Sequence, residues 1–223
     1  MRYVELVGPP GVGKTTIRQH LYRKNAVSFI STSLFYASFS MKKKYFGGEP
    51  ELAGDYRDFA EFVGKSFNLG RKVSPEVRAK RFNRFMNGIY RTCFLKKIRL
   101  NNLVFFDEHL AQSGIALFLT IRDSSQAEAV IRKYYESMPI ADGTLFLKAD
   151  QGVIASRQKQ RAEEANRGLR YNDIQPGLEA QEIAIDVLSK RQVKMDVLDL
   201  EKTEAAFASA DRFIRSLRTG MDG

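Results

Sequence analysis

The sequence predicts an α/β fold in which a parallel sheet is covered by helices on both faces. Three observations carry that reading. Five short apolar runs are spread along the 223 residues and are separated by segments of helical periodicity; strands buried on both faces read as such runs. The first run passes straight into a glycine-rich loop and then into an amphipathic stretch, which is the order strand, loop, helix. The chain is 43% hydrophobic and shows no low-complexity tract or internal repeat, which is enough apolar material for one substantial domain.

The first strand is "YVELV", Tyr3 to Val7, which alternates and then runs apolar. Behind the loop, Ile17 and Leu21 share a face of a helix expected from Lys14 to about Asn25. "VSFIST", residues 27–32, is the expected second strand. The stretch from Leu34 to Leu69 mixes loop and helix signals. A long helix then opens at Ser74 as N-cap, Pro75 at the first helical position and Glu76 in the first turn. "NNLVFFDEHL" holds the third strand, "GTLFLKAD" the fourth and "KMDVLDL" the fifth. The last two lead into the helical segments "QGVIASRQKQRAEEANR" and "TEAAFASADRFIRSLR". Ligands of such sheets bind beyond the carboxyl ends of the strands, where the glycine-rich loop falls.

Gly8, Gly13, Lys14 and Thr15 match the template G-x-x-x-x-G-K-[ST], with Pro9, Pro10, Gly11 and Val12 between them. Glycines let the backbone curl so that its N–H groups point at phosphate oxygens, and the following helix adds its positive dipole end. Pro9 and Pro10 stiffen the loop where no N–H is needed. The expected nucleotide-binding residues are Gly8, Pro10, Gly11, Val12, Gly13, Lys14, Thr15 and Thr16. Lys14 would reach the β- and γ-phosphates of ATP, and the Thr15 hydroxyl would ligate Mg²⁺.

Asp107 ends the apolar run "LVFF" and is the second expected metal-site residue, opposite Thr15; a helix N-cap is its plainer alternative. Glu108 has two readings, polarising a water or accepting a proton from a substrate hydroxyl. His109 suits local packing, and Gln112 suits either a substrate contact or a solvated surface. Arg157 and Arg161 are four apart and share a helical face, followed by Arg167 and Arg170 in a looser stretch. Phosphoryl transfer is mostly positioning and charge neutralisation, so such arginines suit a lid over the phosphates. Alternatively they belong to a basic surface helix balanced by Glu163 and Glu164.

The single cysteine, Cys93, excludes an intramolecular disulfide, and two separated histidines leave little for a structural zinc site. With a strand beginning at the N-terminus, no signal or transit peptide is expected, and "GIALFLTI" is too short to span a bilayer. A cytoplasmic location is expected. The net charge of +10 is uneven: from Arg71 to Leu100 there are ten basic residues against one acidic residue, Glu76. That segment is either a solvated helix face behind an apolar stripe of Val77, Phe82, Phe85, Ile89 and Cys93, or a funnel for an anionic substrate.

The combination of "GPPGVGKTT", "LVFFDE" and "LFLKADQGVIASRQKQR", in that order and spacing, resembles the P-loop kinases of the nucleoside and nucleotide kinase group. The resemblance implies a three-layer P-loop NTPase fold, with a five-stranded parallel sheet of order 2-3-1-4-5 and a helical substrate and lid region. Asp150, Arg157 and Arg161 fall on the acidic strand end and R-x-x-x-R of that group. Deoxynucleoside kinases place Glu-Arg after the third strand and thymidylate kinases Asp-Arg; Asp107 and Glu108 stand here with no arginine beside them. "GGEP" is similar to a Glu-Pro pair at the second strand of deoxynucleoside kinases, which makes Glu49 an alternative base.

The expectation is therefore one P-loop kinase-like domain over 1–223, with a helical substrate-binding insertion over 34–100 and a lid over 157–175. Its reaction is transfer of the γ-phosphoryl group of ATP, with Mg²⁺, to a hydroxyl or phosphate of a small, anionic, nucleoside-like or sugar-like acceptor. Lys14, Asp107, Glu108, Arg157 and Arg161 are the expected catalytic residues. The rivals are a P-loop ATPase that couples hydrolysis to a conformational change and a polynucleotide kinase or other nucleic-acid partner. A GTPase is excluded, because "DEHL" and "LKAD" stand where D-x-x-G and N-K-x-D are needed. No membrane span is expected, and a homodimer is left open.

Overall fold

The computed structural model describes residues 2–25, 54–69, 73–97, 102–107, 109–121, 123–164 and 174–218. These hold strands β1 (Arg2–Val7), β2 (Leu103–Phe106), β3 (Gly143–Lys148) and β4 (Met195–Asp199). The helices are α1 (Lys14–Asn25), α2 (Gly54–Asn68), α3 (Pro75–Lys97), α4 (Leu110–Phe118), α5 (Ser124–Ser137), α6 (Gln151–Glu164), α7 (Ile174–Lys190) and α8 (Thr203–Arg218).

The strands form one parallel sheet in the order β2-β1-β3-β4. Register places Glu5 beside Phe106 on one side and Thr144 on the other. Among the described residues the sheet has four strands where five are expected, and its order, written in the numbering of the expected strands, is 3-1-4-5. The expected strand at 27–32 lies outside the described residues, as do Glu49, Glu108, Arg167 and Arg170.

Alternation along the strands splits the core into two faces. Val4 and Leu6 of β1, Leu103 and Phe105 of β2 and Leu145 and Leu147 of β3 pack with Ile17, Leu21, Ile154, Ala210 and Ile214 of α1, α6 and α8. Val7 and Phe146 face the other way, toward Phe59, Phe85, Ile89, Leu110, Ile115, Tyr134 and Ala184 of α2, α3, α4, α5 and α7. On that side Phe59 meets Tyr134 edge-on at 5.0 Å and Phe85 at 5.4 Å, the offset geometry aromatic rings prefer. Helix α1 is tied to α8 by His20 and Lys24, which both meet the buried Asp211 carboxylate.

α2 and α3 lie inside the expected helical insertion. α3 begins at Pro75 as its composition predicts, with Ser74 Oγ accepting from the Val77 N–H at 3.4 Å. Phe85, Ile89 and Cys93 are buried in the core, so their helical spacing reflects packing. Part of the basic segment caps helix C-termini: Arg81 donates to the Ala116 carbonyl at 3.1 Å and Arg78 to that of Asn68 at 3.4 Å. Lys80, Arg84, Lys96 and Lys97 stay exposed. Among the described residues no helix is long and apolar enough to cross a membrane.

Candidate phosphate-binding site

The site is built where β1 ends. Gly8 has a positive φ of 157°, and a side chain there would meet the Leu147 carbonyl at 3.0 Å and Val12 Cγ1 at 2.9 Å. Only a residue without Cβ lets the loop leave β1 so close to β3. Gly13 sits at φ 114°, and its carbonyl accepts from the N–H groups of Thr16 and Ile17 at 3.0 and 3.2 Å to start α1.

The loop is held by side chains from three helices. Lys14, at the start of α1, folds back and donates to the Gly8 carbonyl at 2.5 Å and to that of Pro9 at 3.4 Å. From α4, Gln112 Oε1 accepts from the Gly8 N–H at 2.9 Å. From α6, Gln158 donates to the Pro10 carbonyl at 2.7 Å, and Arg157 to those of Gly11 and Val12 at 3.4 and 3.3 Å. Arg161 is exposed on the same helix, while Thr15 and Thr16 are exposed on the first turn of α1. Asp150 caps α6, accepting from Gly152 N–H at 2.7 Å.

Asp107 follows the last residue of β2 and forms an ion pair with Arg18 of α1, Nη1 to Oδ2 at 2.5 Å, both side chains about a quarter exposed (29% and 24%). It is not the cap of α4. That helix begins at Leu110 after His109, which makes no side-chain cap. Its cap is remote: Glu5, fully buried on β1, accepts from the Ala111 N–H at 2.6 Å. Burial drives the Glu5 carboxyl up to about 8, against the pull of the α4 N–H groups. Tyr134 and Tyr135 close the same turn, donating to the Leu110 and Ala111 carbonyls at 2.7 and 2.6 Å.

His109 is a packing residue. It stacks on Phe106 at 4.4 Å, its Nε2 lies 2.9 Å from Thr92 Oγ1, and burial, with help from Arg91, holds its pKa down to about 3. Gln112 is half-buried, and its oxygen grips the loop instead of facing solvent.

The structure therefore brings Lys14 and Arg157 onto one loop, with Thr15 and Thr16 on the first turn of α1, Asp107 paired with Arg18 one turn along that helix, and Arg161 farther out along α6. Thr15 and Asp107 offer a hydroxyl and a carboxylate, the hard oxygen donors that suit Mg²⁺. Among the described residues no group of three His, Cys, Asp or Glu forms a protein cage. A magnesium ion with phosphate and water ligands needs no such cage. Sequence reasoning missed three contacts: Arg18 with Asp107, Glu5 with α4, and Gln158 with the loop. Arg18 had one local signal, its place one turn after Lys14 on the same helix face.

No family model matches the chain, and no curated protein matches it. Among solved structures, that of deoxyadenosine kinase from M. mycoides with bound dATP aligns with a TM-score of 0.57 at 13% identity, covering 96% of this chain and 100% of that one. The same kinase with products dCMP and a flexible dCDP aligns at 0.55 and 13% identity, and with bound dCTP at 0.52 and 16%. Each covers 96% of this chain and 99% of the other. The chain has a P-loop nucleoside kinase-like fold.

Proposed function

We propose that the chain is a kinase that transfers the γ-phosphoryl group of ATP, with Mg²⁺, to a nucleoside-like small molecule. One observation supports this reading: Lys14 of α1 and Arg157 of α6 both meet the backbone of the glycine-rich loop after β1, and at the end of the neighbouring β2 Asp107 pairs with Arg18, one turn along from Lys14. The loop's N–H groups and Lys14 would bind the β- and γ-phosphates. Thr15 and Asp107 would hold Mg²⁺, which supplies charge neutralisation on the transferring group. Arg157 and Arg161 would neutralise the γ-phosphate from α6, and Glu108 would take the acceptor proton. In this reading 27–32 adds the fifth strand of a 2-3-1-4-5 sheet, 34–100 receives the acceptor and 157–175 closes over the phosphates. The full-length alignment with deoxyadenosine kinase favours a nucleoside over a sugar as acceptor. A soluble enzyme working on cytoplasmic ATP fits these assignments.

The test uses ATP labelled on its γ-phosphate with a panel of nucleosides, nucleotides, sugars and sugar phosphates. Label should move to a nucleoside. Label that moves only to water would make the chain an ATPase, and label on an oligonucleotide end would make it a polynucleotide kinase.

A further inference from the structure

The carboxyl edge of the sheet contains a charge pairing that the phosphotransfer roles leave unexplained. Asp107 follows the end of β2, at the same edge of the sheet where β1 hands over to the glycine-rich loop, and a bare carboxylate there would repel an incoming triphosphate. Arg18 answers that charge from α1. It lies three residues after Thr15 and four after Lys14, so it shares their face of the helix. Its Nη1 reaches Asp107 Oδ2 at 2.5 Å, across 89 residues of sequence. Both side chains are mostly withdrawn from solvent, so screening is weaker than at a surface pair. The chain after β2 reads Asp107-Glu108-His109-Leu110 and carries no arginine beside the aspartate.

We infer that Arg18 is a positioning residue for the phosphotransfer site: it neutralises and orients Asp107 before nucleotide arrives and competes with the divalent cation for the same carboxylate. The inference rests on the kinase reading. Its consequence has two opposite signs. Removing Arg18 takes away one cation that competes for Asp107, so the affinity for the divalent cation rises. Removing it also takes away a contact that orients the carboxylate, so the rate of transfer falls. A residue that merely props up the fold would lower both.

The experiment titrates Mn²⁺ into full-length protein saturated with a non-hydrolysable ATP analogue, read by water proton relaxation, with thermal midpoints and steady-state kinetics on the same samples. Arg18→Ala should bind Mn²⁺ roughly three- to fivefold more tightly, as expected for losing a competing ion pair of this class, with kcat reduced about tenfold. Arg18→Lys, which keeps the charge but loses the fork, should restore wild-type Mn²⁺ affinity and only part of kcat. In an Asp107→Ala background, Arg18→Ala should change Mn²⁺ affinity no further. Unchanged or weaker Mn²⁺ binding in Arg18→Ala overturns the inference, as does an equal gain when Asp107 is absent. Wild-type protein that binds no Mn²⁺ with the analogue overturns the kinase reading itself, and the inference with it.

Discussion

Glu5 makes stability depend on pH in a way that can be worked out in advance. It is fully buried on β1, and its folded carboxyl is raised from 4.5 to about 8 by desolvation. A raised carboxyl means the folded state holds a proton that the unfolded state has released. Its contribution is therefore fully present below pH 4.5 and is lost as pH rises through about 8. At about 1.4 kcal/mol per unit the full loss is on the order of 5 kcal/mol. That is a large share of the roughly 5–15 kcal/mol that holds a domain together. Between pH 6 and 8.5 the part lost is about 2 to 3 kcal/mol.

The groups that face Glu5 do not mask this. Tyr3, Tyr134 and Tyr135 are pushed further above their ordinary range by burial and stay neutral. His109, lowered from 6.5 to about 3, works with the opposite sign: its contribution is present above pH 6.5 and lost as pH falls through about 3. Glu5→Gln keeps an oxygen to accept from the Ala111 N–H and removes the titration. Urea unfolding of both proteins from pH 6 to 8.5 should show the stability difference moving by about 2 to 3 kcal/mol in favour of the variant as pH rises. Wild type and variant running parallel across that range would refute the reasoning.

Lys14→Ala should cut phosphoryl transfer by more than about 100-fold, with a thermal midpoint near wild type because the side chain is half-buried and lies outside the core clusters; near-normal transfer would remove the site assignment. Asp107→Asn should raise the Mg²⁺ concentration needed for half-maximal rate, and an unchanged Mg²⁺ titration would take Asp107 out of the metal site. Gly114→Ala should destabilise the fold by about 1–3 kcal/mol, because a Cβ there meets Tyr135 Oη at 2.7 Å and Tyr134 Cδ1 at 2.9 Å where α4 and α5 press together. A denaturation midpoint equal to wild type would show that the two tyrosines can give way.

Local signals in the chain suffice for several elements. α1, α8 and the start of α3 fall where capping residues and spacing place them, and β2, β3 and β4 fall within the three apolar runs. α4 was invisible for a physical reason: Leu110, Ala111, Gly114, Ile115 and Leu117 are all buried. A helix wrapped by neighbours loses the polar face that makes a period visible. α2 carries its core residues Phe59, Val63 and Phe67 at helical spacing, but beside a stretch of mixed signals. In the site, the motif showed its own residues and the arginines of α6. The pairing of Arg18 with Asp107, and the capping of α4 by Glu5, depend on elements far apart in sequence, and no spacing records them.

The topology explains how the loop is held in one shape. β1 lies between β2 and β3, and in a parallel sheet each of those strands hands over to its helix at the same edge where β1 hands over to the loop. The helix after β2 is α4, whose Gln112 fixes the Gly8 N–H; the helix after β3 is α6, whose Gln158 and Arg157 fix three loop carbonyls. Neighbouring strands thus bracket the loop from both sides. A loop held this way needs little reordering when an anion binds, and preorganised donors are worth most in such a site. The bracket is uneven. Gln158 and Gln112 hold at 2.7 and 2.9 Å, whereas Arg157 reaches its two carbonyls at 3.4 and 3.3 Å. Long bonds to neutral acceptors are cheap to exchange for short ones to an anion. Of the three side chains, Arg157 is therefore the one that can leave the backbone for a phosphate while the loop keeps its form.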